Sequence, residues 1–184
     1  KTKAKLNSLN PGREKWHTIK NGPAKGFQLF LNPKAFYSWK EMLHGEYDRF
    51  WFERIASENK KFNCILDIGA HFGYHSILLA SMFPDAQVFA IEPNPENIKR
   101  LESNLKRNDL SSRILGRPFA ISDKQGVLEL NYSDNVESSQ STGSYLVDVS
   151  PPLEKVHYET FRKTRVDSST VDALCTEEAI QPDL

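Results

Sequence analysis

The stretch Ile65-Leu66-Asp67-Ile68-Gly69-Ala70-His71-Phe72-Gly73-Tyr74-His75-Ser76 constrains this chain more than any other. An apolar run ending in an acid, two glycines four residues apart, and then Ile77, Leu78 and Leu79 read as a buried strand, a tight loop and a helix from Tyr74 to Met82. Gln87 to Ile91 reads as a second buried strand, and Glu92 at its end comes 25 residues after Asp67. The next helix is well punctuated: Asn94 is the N-cap, Pro95 opens the first turn, Glu96 follows, and Ile98, Leu101 and Leu105 share a face. A third strand falls within Arg113 to Ser122. This βαβαβ order implies an α/β, Rossmann-like, doubly wound and mainly parallel sheet, with its ligand crevice at the carboxyl ends of the strands.

At 184 residues, with 39% apolar and 26% charged residues, the chain is the size of one globular domain. Before the first strand, Trp16 to Lys20 and Phe27 to Leu31 flank the turn formers Asn21 to Gly26 and predict a hairpin. A helical pattern over Ala35 to Asn59, rich in aromatics and interrupted at Gly45, predicts a helix covering the core. The expected division is therefore a basic arm and hairpin over 1–34 and the α/β domain over 35–184. After Ser122 the period becomes two: Val127, Leu128, Leu130 and Tyr132, then Tyr145, Val147 and Val149 predict antiparallel strands joined by a Ser-rich loop, Ser133 to Ser144, which could form a lid but reads more simply as a surface loop. A last strand near Thr164 to Asp167 and a short helix near Val171 to Ala179 follow.

No apolar run approaches the ~20 residues of a membrane-spanning helix, and the start does not resemble a signal peptide. Cys64 and Cys175 form no CxxC pair and support neither a disulfide framework nor a zinc site, so a cytoplasmic setting is expected. The chain opens on Lys1 and stops at Gln181-Pro182-Asp183-Leu184, which reads as a piece of a longer protein. Net charge is zero, yet residues 1–25 hold seven Lys or Arg against one Glu. A basic arm can meet nucleic acid, but overall neutrality and the scarcity of aromatics in the arm favour a small or glycan partner.

The glycine loop separates two nucleoside cofactors. A dinucleotide fingerprint needs Gly-x-Gly-x-x-Gly so that the pyrophosphate can approach the backbone, and here His71 occupies the second glycine position. Asp67 also repels an anionic pyrophosphate but suits a ligand carrying an ammonium and a sulfonium. Glu92, at the tip of the neighbouring strand, is placed to accept the ribose hydroxyls. These features point to S-adenosyl-L-methionine.

Asp67 to Tyr74, with Ile91-Glu92-Pro93-Asn94 following, resembles the first two motifs of the FkbM-type methyltransferases, Asp-x-Gly-Ala-Asn-x-Gly and Glu-Pro. Gly45-Glu46-Tyr47-Asp48, Phe119-Ala120-Ile121-Ser122-Asp123 and Thr170-Val171-Asp172-Ala173-Leu174 are similar to further segments of that family, so the resemblance covers about residues 40–184. It implies a class I fold and O-methylation of a sugar, polysaccharide or polyketide-like hydroxyl. The implied cofactor residues are Asp67, Gly69, Ala70, His71, Phe72, Gly73, Glu92, Pro93, Phe119 and Ala120. His71 and Phe119 stand where the family usually has Asn. The family continues with a strand like Ile-Lys-Ile-Asp-Val-Glu-Gly, whose carboxylates lie at the active-site end, so the catalytic base is expected beyond Leu184 and the chain by itself is expected to lack activity.

Plainer readings exist for each residue. Asp67 or Glu92 alone would be a cap or a solvated carboxylate; together with the glycines they describe a cofactor site. His71 and His75 lack the intervening Glu of a zinc helix and are not read as metal ligands. Tyr47 and Asp48 are divided between core packing and the cofactor mouth. Two rival functions remain: a nicotinamide-dependent oxidoreductase, and a methyltransferase-like module that binds without catalysing.

Overall fold

The structure, a computed structural model, describes residues 14–32, 38–133, 145–146 and 161–184. It opens with an antiparallel hairpin, β1 (Lys15–Thr18) and β2 (Gln28–Leu31), in register Trp16 to Phe30. Two short helices follow, α1 (Trp39–His44) and α2 (Arg49–Ser57). The expected break at Gly45 has a physical cause. Gly45 ends α1 at φ 71°, and a Cβ there would sit 2.6 Å from the Asn21 carbonyl oxygen of the hairpin turn.

The parallel sheet consists of β3 (Cys64–Ile68), β4 (Gln87–Ile91) and β5 (Ile114–Arg117), in that order, with α3 (Tyr74–Met82) and α4 (Pro95–Arg107) as crossovers. Registers run Asp67 to Ala90 and Ile91 to Arg117, so the carboxyl ends of the strands meet at one edge. Asn94 caps α4 as the sequence indicates, its Oδ1 accepting the Glu96 N–H at 2.9 Å. In β3, Asn63 C=O and Gly69 N–H bond toward β4, whereas Cys64 C=O and Leu66 N–H bond to Asp183 N–H and Leu184 C=O. The alternation places 183–184 along the opposite edge of β3.

One core joins the hairpin to this sheet. Ile19, Leu29 and Leu31 are buried in the same cluster as Ile65, Ile77, Val88, Leu101 and Ile114. Each such side chain contributes roughly 1.5–3 kcal/mol when removed from water. Helix α2 covers this core only in part: Phe52 and Ile55 are buried, but Phe50 and Trp51 are 83% and 53% exposed. Of the positions whose spacing predicted a core-covering helix, Met42, Phe52 and Ile55 join the core and Trp39 and Tyr47 pack against it, whereas Phe50 faces outward.

A second sheet has the order β6 (Ala120–Ile121), β9 (Phe161–Ser169), β7 (Gly126–Ser133) and β8 (Tyr145–Leu146). β6 runs parallel to β9, and β7 is antiparallel to both β8 and β9, as the two-residue period implies. Ala120, Leu130, Tyr132 and Val166 form its small core, and α5 (Val171–Glu177) follows, capped by Thr170. Apart from Ser133, the Ser-rich loop, read as a surface loop or a lid, lies outside the described residues.

Candidate cofactor site and its neighbouring cavity

The loop between β3 and α3 turns on left-handed residues, with φ of 83° at Gly69, 53° at His71 and 88° at Gly73. The N–H groups of Gly69 and Ala70 both donate to the Ile91 carbonyl, at 2.9 and 3.0 Å, which ties the loop to the end of β4. Ala70 and Phe72 turn their side chains into the core, so the loop shows its backbone outward. Gly73 is irreplaceable on two counts: its positive φ, and Leu101 Cδ1, which would lie 2.4 Å from an added Cβ.

His71 pays for its left-handed conformation, which costs about 1–2 kcal/mol in an L-residue, with a bond from its own N–H to Glu92 Oε2 at 2.9 Å. Burial, with the charges of Arg100 and His75 adding to it, pushes the imidazole down to about 3, so the ring is neutral at physiological pH.

Glu92 is 5% exposed. Besides His71 N–H on Oε2, its Oε1 accepts Asn94 N–H at 2.9 Å and Asn97 Nδ2–H at 3.2 Å. A carboxylate has about four acceptor positions, so these bonds leave room for about one more. The expected bond to both ribose hydroxyls is thereby narrowed, because Glu92 also clamps the loop to the start of α4. Burial raises its pKa; the three hydrogen bonds oppose the shift and the nearby Asp67 charge adds to it.

Asp67, the last residue but one of β3, is half-buried, and Ser76 Oγ–H donates to its Oδ2 at 2.5 Å. Burial raises its pKa too, against the Ser76 bond and the proximity of His75. Beside it opens a cavity of about 330 Å³ lined by Asp48, Trp51, Leu66, Asp67, His75, Leu79 and Leu184. At its wall His75 Nε2 lies 2.9 Å from Asp48 Oδ2, and the His75 ring stacks on Tyr47 with centroids 5.8 Å apart. Because a carboxylate only accepts, Nε2 carries the proton in this pair. Asp48 thus belongs to the cavity wall, while Tyr47 supports it from behind.

The remaining predicted positions are less direct. Pro93 is half-buried after Glu92, and Phe119 follows β5 with its N–H on the Arg117 carbonyl at 3.0 Å. Ala120 directs its methyl into the second core, so it offers a ligand only backbone. Sequence reasoning did not single out Trp51 or Leu79 for the cavity. Among the described residues, no three His, Cys, Asp or Glu side chains gather as a metal site would require.

These features suit S-adenosylmethionine and not a dinucleotide. Two buried or half-buried carboxylates, a neutral imidazole and an outward-facing loop backbone can receive a cationic amino acid and a ribose. Among the described residues, no Lys or Arg lines the neighbouring cavity. The parallel sheet, crossovers and loop therefore define a Rossmann-like, class I methyltransferase domain with S-adenosylmethionine as cofactor.

Residues 26–174 match the TRM5/TYW2 methyltransferase domain, and the chain belongs to that family. A methyltransferase, sdnD of Sordaria araneosa, is 29% identical over 99 residues, covering 54% of this chain and 36% of that protein. The matched part thus spans about a third of that relative's length. Among solved structures, Pyrococcus horikoshii TYW2 in complex with MeSAdo is 21% identical with a TM-score of 0.43, covering 58% of this chain and 36% of its own. A SAM-dependent O-methyltransferase from Thermotoga maritima is 22% identical with a TM-score of 0.35, covering 65% and 47%. The methyltransferase class implied by the FkbM-type motifs holds, while the family matched carries a different name. No helix among the described residues is long and apolar enough to cross a membrane.

Proposed function

We propose that this domain serves O-methylation of a neutral hydroxyl compound, a small molecule or a glycan. The observation that carries this reading is the placement of Asp48, Asp67 and His75 side by side next to the glycine loop, where, among the described residues, no Lys or Arg lines the cavity. An anionic acceptor would meet repulsion there, whereas a hydroxyl finds hydrogen-bond acceptors and the apolar walls of Trp51, Leu66 and Leu79. The FkbM-type motifs support the same acceptor class.

In this reading Asp67, Gly69, His71 and Glu92 seat the cofactor, which supplies an electrophilic methyl group when bound. In place of the base expected beyond Leu184, this reading gives the proton of the acceptor hydroxyl to His75, which Asp48 orients through Nε2 and whose lone pair is then on Nδ1.

A second reading has its own support: the matched family, TRM5/TYW2, and the seven basic residues among the first 25 favour a tRNA acceptor. Radiolabelled S-adenosylmethionine offered to the full-length protein with glycans, polyhydroxylated small molecules and unmodified tRNA in parallel decides between them. Label in the hydroxyl compounds supports the first reading. Label confined to tRNA replaces it with the second, and cofactor binding without transfer to any acceptor leaves a binding module.

A further inference from the structure

Helix α4 carries two asparagines, Asn104 and Asn108, that face the hairpin. Gln28 N–H donates to Asn108 Oδ1 at 2.7 Å and Phe30 N–H donates to Asn104 Oδ1 at 2.8 Å. The match is geometric: two residues of strand advance about 6.6 Å and four residues of helix about 6 Å. Side-chain amides one helical turn apart can therefore follow alternate N–H groups along the outer edge of β2. The edge is covered without a further strand.

The two asparagines differ in their second bond. Asn108 Nδ2–H returns to β2, donating to the Gln28 carbonyl at 2.7 Å. Asn104 Nδ2–H turns the other way and donates to the Phe72 carbonyl of the glycine loop at 2.8 Å. Asn104 is fully buried, where an amide without partners costs about 1–3 kcal/mol and an apolar residue of similar size would pack without that risk. Around it the same helix face supports the same loop: Asn97 holds Glu92, and Leu101 lies against Gly73.

We infer that Asn104 is a positioning residue for the cofactor loop, linking the Phe72 carbonyl to the backbone of β2 so that hairpin docking and cofactor binding reinforce each other. The inference rests on the loop being the seat of S-adenosylmethionine. By linkage, whatever the docked hairpin adds to cofactor affinity the cofactor returns to hairpin docking. The hairpin is held in addition by the Arg100–Glu14 ion pair and by the Arg107 guanidinium over the Trp16 ring. Asn108, whose Nδ2–H also donates to the Asn104 backbone carbonyl at 2.7 Å, supplies an internal control, since it ties the same strand without touching the loop.

The test compares Asn104→Asp, Asn104→Ala and Asn108→Ala in the 184-residue chain, reading melting temperature, amide hydrogen exchange and calorimetric affinity for S-adenosylhomocysteine. Asn104→Asp keeps an acceptor for Phe30 N–H but sets an oxygen against the Phe72 carbonyl. Both Asn104 variants are expected to speed exchange at residues 71–74 and weaken binding about 10-fold or more. Asn108→Ala is expected to lower the melting temperature while leaving affinity within about threefold and loop exchange unchanged. Should the Asn104 variants not fold, the wild-type chain still decides: S-adenosylhomocysteine should slow exchange of the Phe30 amide, and unchanged exchange overturns the coupling. Equal effects of Asn104 and Asn108 substitution on loop exchange and affinity also overturn it. If the wild-type chain binds no S-adenosylhomocysteine, the cofactor assignment fails, and loop exchange in the variants still shows whether Asn104 positions the loop.

Discussion

The His71 backbone N–H donates to Glu92 Oε2 at 2.9 Å, joining the glycine loop after one strand to the acidic tip of the next. The two parts of the cofactor site, separated by 21 residues in sequence, are therefore one hydrogen-bonded unit. With Glu92 seating the cofactor as proposed, the carboxylate that shapes the loop also faces the ligand, and cofactor affinity and stability change together.

Glu92→Ala is accordingly expected to do two things. Losing a charge-assisted bond to the ribose weakens S-adenosylhomocysteine binding roughly 10- to 100-fold. Orphaning the donors of His71, Asn94 and Asn97 lowers stability by about 2–4 kcal/mol. Calorimetry and denaturant unfolding on the same variant check both. A loss of stability with unchanged affinity would leave Glu92 a purely structural clamp.

The raised pKa values of Glu92 and Asp67 predict a pH dependence of definite sign. In the folded chain these carboxyls hold their protons to higher pH than in the unfolded one. Stability therefore falls as pH rises from the ordinary carboxyl range through the raised values, and is level above them. Glu92→Gln should reduce that slope, which unfolding curves between about pH 4 and about pH 8 measure. Affinity for the cationic cofactor should move oppositely, weakening as pH falls and the carboxylates are neutralised.

Gly73→Ala is expected to lose about 2–4 kcal/mol of stability, from the left-handed φ and from collision with buried Leu101. Adding Leu101→Ala should relieve the collision but not the conformational strain, so the double variant loses less than the sum of the two single losses. Additive losses would show that the close approach does not matter.

His75→Gln tests the proposed proton acceptor. Methyl transfer to the hydroxyl substrate should fall about 100-fold or more, with S-adenosylhomocysteine affinity changed less than threefold. An unaltered rate would place the base elsewhere.

The strands and α4 were legible in the sequence because their signals are local. Asn94 and Pro95 mark the start of α4, and the apolar runs ending at Asp67 and Glu92 mark buried parallel strands. The second role of Glu92 was not legible, since its partners His71, Asn94 and Asn97 meet it only after the loop folds. Asn104 and Asn108 read as ordinary polar helix positions, because nothing local shows that a strand edge 74 to 80 residues away will need their amides. Phe50 fits a helical apolar pattern yet stays exposed, as the short α2 turns Phe52 and Ile55 inward.

Calorimetric titration of the 184-residue chain with S-adenosylhomocysteine and, separately, with NAD tests the cofactor assignment most directly. The neutral His71 in the second glycine position and the carboxylates of Asp67 and Glu92 predict saturable binding of S-adenosylhomocysteine and at least 10-fold weaker binding of NAD. Tighter binding of NAD would contradict it.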